Sequence, residues 1–141
     1  FPRVSPNGEY LVFTLSNCGQ FSIWQKEADL YCLNLQTNHL KPLAAWNSDD
    51  TESYHSWSSN GRWMVFSSRR DDGLYTRPYI GYMDAEGNPK KAFMLPQEAP
   101  KDYYTELLYS YNIPELITGE VELEPREVGD WVWSDDVIKV K

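Results

Sequence analysis

The chain carries 13 Lys plus Arg against 21 Asp plus Glu over 141 residues, a net charge of −8. Its length suits one domain and is short for two, and its negative balance argues against a nucleic-acid backbone or an anionic membrane surface as the main partner. The longest apolar runs, such as Tyr10-Leu11-Val12-Phe13, fall far short of the ~20 residues that cross a bilayer.

The chain opens with an aromatic residue, Phe1, then the turn signature Ser5-Pro6-Asn7-Gly8 and an apolar run, Tyr10 to Phe13, closed by Thr14. Asn-Gly between two strand-like runs is a strong hairpin signal because both residues tolerate positive φ, and the preceding Ser can bond the turn backbone. A long loop bearing Cys18 and Trp24 follows. A strand is then expected at Asp29–Leu35, a turn at Gln36-Thr37-Asn38 and a last short strand around Leu40 to Leu43.

The same order then repeats. Tyr54-His55-Ser56-Trp57-Ser58-Ser59-Asn60-Gly61-Arg62-Trp63-Met64-Val65-Phe66-Ser67 aligns with residues 1–14, and the strand Tyr79 to Ala85 answers Asp29 to Leu35. That alignment gives the first copy three extra residues in its middle loop. The turn Glu86-Gly87-Asn88 and a strand at Ala92 to Leu95 complete the second copy. Each copy thus holds four strands joined by hairpins, the sequence form of a propeller blade. Met64 and Phe66 fall on one face of their strand and Trp63 and Val65 on the other, so both faces are apolar, as in a sheet packed between neighbours.

Trp57-Ser58-Ser59-Asn60-Gly61, the strand after it and Ser67-Ser68-Arg69-Arg70-Asp71, with the closing turn Asp84-Ala85-Glu86-Gly87, resemble the WD-like repeat of TolB-like β-propellers. The resemblance covers residues 1 to about 96; it departs in having Asn7 and Asn60 where that repeat has Asp, and Ser59 where it has Pro. It implies a propeller of about six blades in the bacterial cell envelope or periplasm that works by binding protein. Two blades do not close a ring, so the chain reads as a fragment whose missing blades, or self-association, cover faces bearing Tyr31, Leu33, Met64 and Phe66. Phe1, with no initiator Met or signal peptide before it, fits that reading.

Beyond Pro96 the pattern changes. Tyr104, Leu107, Leu108 and Tyr111 have helical spacing, with Pro100 near the start and Asn112 to Pro114 as the stop. Glu120 to Glu124 alternates acidic and apolar residues as a half-buried strand does, and a last strand is expected from Trp131-Val132-Trp133 through Val137 to Val140. The expectation is therefore an all-β chain: four-stranded antiparallel blades at residues 1–50 and 51–96, and at 97–141 a tail with one short helix and one or two strands, strapped onto the blades.

Catalytic chemistry finds little to work with. His39 and His55 have no Cys or His at metal-ligand spacing, Cys18 and Cys32 have no haem-attachment pattern, and no Gly-x-Ser-x-Gly elbow occurs. No metal, no cofactor and no enzymatic activity are expected. The paired carboxylates Asp49-Asp50, Asp71-Asp72 and Asp135-Asp136 suit solvated turns, His55 a strand or turn hydrogen bond, and the two cysteines an unbonded loop thiol and a buried strand residue.

The segment from Ser68 to Arg77 mixes Arg, Asp and Tyr, the residue types of recognition surfaces. Candidate binding residues are Arg69, Arg70, Asp72, Tyr75 and Arg77, with Trp24 in the equivalent loop of the first copy. The repeat context offers a second role, Arg and Asp bracing the hairpin, and that role is preferred. The expected function is a non-catalytic module binding a protein partner. The alternative is the accessory propeller of a prolyl-oligopeptidase-type peptidase or glycan-processing enzyme whose catalytic part lies elsewhere.

Overall fold

The computed structural model describes residues 1–134. Eight strands form two four-stranded antiparallel meanders. Blade one holds β1 (Arg3–Val4), β2 (Tyr10–Leu15), β3 (Asp29–Asn34) and β4 (His39–Pro42). Blade two holds β5 (Glu52–Trp57), β6 (Trp63–Ser68), β7 (Arg77–Tyr82) and β8 (Phe93–Met94). Helices α1 (Pro100–Glu106) and α2 (Pro125–Trp133) follow, each with Pro in its first turn, where a missing N–H costs nothing.

The repeated turns are built alike down to the atom. Tyr10 N–H donates to Ser5 Oγ at 3.0 Å and Trp63 N–H to Ser58 Oγ at 3.0 Å, while Gly8 and Gly61 close the turns at φ of 73° and 66°. Asn7 Oδ1 accepts from Ser5 Oγ at 2.6 Å, and Asn60 Oδ1 from Ser58 Oγ at 2.7 Å. In both turns the Asn side-chain oxygen accepts from the serine, and Asn7 also donates its amide to Glu9 Oε2 at 2.7 Å, which a carboxylate could not do.

The copies differ in their middle loops by more than the sequence alignment suggests. Tyr10 pairs with Asn34 and Trp63 with Tyr82, so the β2–β3 connection, residues 16–28, exceeds the β6–β7 connection, residues 69–76, by five residues. The aligned third strand is thus displaced by two residues, an even slip that leaves every side chain on its expected face.

The core lies between the blades. Val12, Leu30 and Cys32 of blade one meet Met64, Phe66 and Tyr79 of blade two, with Leu43 and Trp46 from the connection between them. Each such side chain contributes roughly 1.5–3 kcal/mol by leaving water. Met64 and Phe66, expected on an exposed face beside Tyr31 and Leu33, are fully buried there instead. Cys32 lies in this core, unbonded, with burial pushing its thiol up to about 11, while Cys18 is free and exposed.

A bulge at Tyr54–His55 shifts the β5–β6 register, with Tyr54 at φ 41°. It turns His55 into the blade interface, where Nε2 lies 2.9 Å from the Val12 carbonyl oxygen. Because a carbonyl only accepts, Nε2 carries the proton and Nδ1 stays a buried acceptor without a partner.

The tail departs from expectation in three ways. The first helix stops at Glu106 rather than running to Tyr111, because Leu107 is already extended at ψ 104°. Glu120 to Glu124 forms no strand. Trp131-Val132-Trp133 ends α2 instead of starting a strand: Pro125 presets the helical φ, and Val128, Trp131 and Val132 then share one helical face. The expected strand at Val137 to Val140 lies outside the described residues.

Candidate functional site

The six sequence-selected residues gather at one end of the blade junction, where the long β2–β3 loop, the blade connection and the β6–β7 loop meet. Trp24 ends a 3-10 turn, Ser22–Trp24, whose Ser22 carbonyl accepts from Thr51 Oγ1 at 2.9 Å. Its ring lies over the Arg69 guanidinium, 5.7 Å from centroid to Cζ, and stays 67% exposed.

Arg69 itself points inward. Its Nε and Nη2 reach Asp50 Oδ1 at 3.1 and 3.0 Å, and the same oxygen accepts the Thr51 N–H at 2.8 Å. Arg70 is committed in four directions. It donates to Ser68 Oγ at 2.8 Å, to Glu52 Oε1 at 2.9 Å and to the Trp46 carbonyl, and its guanidinium lies 4.3 Å from the Tyr79 ring centroid.

Glu52 is the buried centre of this network. Its side chain is fully enclosed, and it accepts from Ser48 Oγ at 2.6 Å, Ser48 N–H at 2.8 Å and Ser68 Oγ at 2.8 Å as well as from Arg70. Burial outweighs these donors and pushes its carboxyl above the usual range. Tyr79 completes the cluster, donating its hydroxyl to both Asp71 oxygens at 3.0 Å; burial and the Asp71 charge push that phenol up.

Asp72 and Arg77 shape the loop beside it. Asp72 Oδ1 accepts the N–H groups of Leu74 and Tyr75, both at 2.8 Å, fixing the turn, while Oδ2 lies 3.5 Å from Arg77 Nη2. Arg77, only 3% exposed in its side chain, donates to the carbonyls of Tyr104 at 2.8 Å, Leu107 at 3.2 Å and Tyr109 at 3.1 Å. These include carbonyls that the C-terminal end of α1 leaves without helical partners, so Arg77 anchors the tail to blade two. Tyr75 lies over the same guanidinium at 5.2 Å.

The structure thus divides the candidates. Arg69, Arg70 and Arg77 hold the blade junction and tail together, whereas Trp24, Asp72 and Tyr75 reach the surface. A groove of about 530 Å³ runs beside Asp72 and Tyr75, lined also by Asp71, Arg77, Met94 and Tyr104. Its rim offers carboxylate acceptors and phenol rings, a chemistry suited to donor-rich, cationic side chains of a partner. Glu52 and Ser48, essential to this architecture, were not singled out from sequence and are brought in by tertiary pairing, and Asp50, expected in a solvated turn, is buried against Arg69 instead. Among the described residues no group of three His, Cys, Asp or Glu side chains is placed to hold a metal ion.

No protein-family model matches the chain, and no curated protein does. Among solved structures it is similar to the β-propeller domain of the Trilobed protease from Pyrococcus furiosus, described as having an open velcro topology, at 18% identity and a TM-score of 0.47. The likeness covers 70% of this chain and 29% of that one, so the chain spans under a third of that structure's length.

Proposed function

We propose that this chain is a non-catalytic, TolB-like propeller module of the bacterial cell envelope that captures a protein partner through the loop end of its blade junction. The observation that carries this reading is the pairing of Trp24 with Arg69. An exposed indole is held in place by a buried, salt-bridged guanidinium, so it is presented rigidly rather than left to wander. Aromatic anchors with little freedom to lose are favoured at binding hot spots. Asp72 and Tyr75, fixed by the turn they close, extend the same surface.

The test replaces Trp24 with a photo-crosslinking phenylalanine derivative and compares it with the same derivative at Thr37, in the exposed turn between β3 and β4. One defined adduct at position 24, lost when Tyr75→Ala is added, supports the reading; equal adducts at both positions reject it. A catalytic domain belonging to a longer parent chain would be caught by the same derivative, and its sequence would show the module serving as an accessory propeller.

A further inference from the structure

The outer faces of the two blades are treated differently. On blade one the row Val4, Leu11, Leu33, Leu40 and the row Phe13, Tyr31, Pro42 cross the sheet with no strand or helix packed over them among the described residues, Val4 and Leu40 standing about half exposed. On blade two the chain covers its own sheet. Tyr111 N–H donates to the Thr76 carbonyl at 3.0 Å, Thr76 N–H to Ser110 Oγ at 3.2 Å, and Thr76 Oγ1 to Asn112 Oδ1 at 3.0 Å.

Ser67, on the outward side of β6, donates its hydroxyl to the carbonyls of Tyr111 at 2.6 Å and Asn112 at 3.0 Å. Further along, Leu116 and Ile117 line a shallow pocket of about 460 Å³ with Trp63, Ile80 and Phe93. Glu115 reaches back to Arg3 of β1 at 2.8 Å, tying the covering segment to blade one as well. Val65, Ser67 and Thr76 are consequently buried although the described residues form no third sheet.

We propose that residues 110–118 are a stack terminator: they occupy the place a following blade would take on blade two and confine sheet-on-sheet growth to the outer face of blade one. The occupant they exclude is blade one of a second copy, whose open face is apolar, four strands wide and of the same architecture as the one covered. Such a contact joins unlike faces and therefore repeats from copy to copy instead of closing in pairs. The strap wins the site because Ser67 and Thr76 need hydrogen-bond partners that its backbone and Asn112 supply and that an apolar sheet face lacks.

Sedimentation of the full chain over a wide concentration range tests this. The parent is expected to level off at no more than two copies, since its single open face pairs once. With Asn112→Ala, Leu116→Asp and Ile117→Asp together, the weight-average mass should rise roughly threefold or more with concentration, as open-ended contacts do. Adding Val4→Lys and Leu40→Lys, both at exposed positions, should return it to the parent value. A strap variant that keeps its strand signal and the parent's mass overturns the proposal, as does growth that ignores the two lysines or a parent that itself grows without limit. Should the triple variant lose its strands, Asn112→Ala alone is judged by the same readings.

Discussion

Gly81 of β7 faces the indole of Trp46 so closely that a methyl group there would stand 2.3 Å from ring atom Cε2. Trp46 comes from the connection between the blades, stacks on Phe66 with centroids 5.9 Å apart, and donates Nε1–H to the Lys90 carbonyl at 2.9 Å. The connection is therefore a plug driven into the core, and the glycine is the socket. Gly81→Ala is expected to cost about 1–3 kcal/mol, the usual range for overfilling a packed core. Urea denaturation followed by tryptophan emission reads both the loss and the displaced ring; an unchanged midpoint would show that the ring yields freely.

His55 makes the junction sensitive to acid. Burial holds its imidazole neutral down to a pKa of about 4, against an ordinary value of 6.5. The unfolded chain therefore binds a proton that the folded chain refuses. The stability this group contributes is whole above pH 6.5, falls as pH drops, and levels off below about pH 4 after a loss of about 3 kcal/mol. His55→Gln keeps a donor for the Val12 carbonyl without the titration. Its unfolding free energy should fall less steeply than the parent's between those two pH values, and parallel curves would reject the assignment.

Arg70 and Glu52 form an ion pair whose acid has no exposure at all. Removing one partner of such a pair leaves the other charge stranded, at a typical cost of about 3–5 kcal/mol. Arg70→Ala is expected to fall in that range by thermal or chemical unfolding. Because Glu52 is already pushed toward its neutral form by burial, part of the loss should be recovered at acid pH, as protonation of Glu52 removes the stranded charge. A pH-independent loss would place the damage in packing against Tyr79 instead.

The loop residues separate by thermal stability. Trp24→Ala and Tyr75→Ala, at the surface, should leave the unfolding midpoint close to the parent's, within about 0.5 kcal/mol. Arg77→Ala removes donors to three tail carbonyls and should free the segment around Tyr104 to Tyr109 for proteolysis. Equal protease resistance in that variant would mean the tail is held elsewhere.

What the sequence revealed follows the range of the forces involved. Asn7-Gly8 and Asn60-Gly61 announce their turns because positive φ is a local demand, and the four-strand unit follows from two such turns at a fixed spacing. Alternation at Trp63 to Phe66 told that both sheet faces are apolar, yet gave no sign of which would meet the other blade. The repeat context favoured a bracing role for the arginines, but their long-range partners, Asp50 for Arg69, Glu52 for Arg70 and the tail carbonyls for Arg77, lie 19, 18 and 27 or more residues away in other elements, so no local pattern names them. In α2, aromatic and β-branched residues suggested a strand, while the helical signal, Pro125 followed by Val128, Trp131 and Val132, was there to be found.

The two thiols divide the molecule into an outside and an inside that a chemist can address separately. Cys18 is accessible at all times, while Cys32 is walled in by Val12, Leu30 and Met64 and holds its proton up to a pKa of about 11. A thiol reagent must wait for the blades to part before it reaches the second sulfur. The slow phase of labelling in the unmodified protein is therefore a clock for the breathing of the interface, needing no introduced probe.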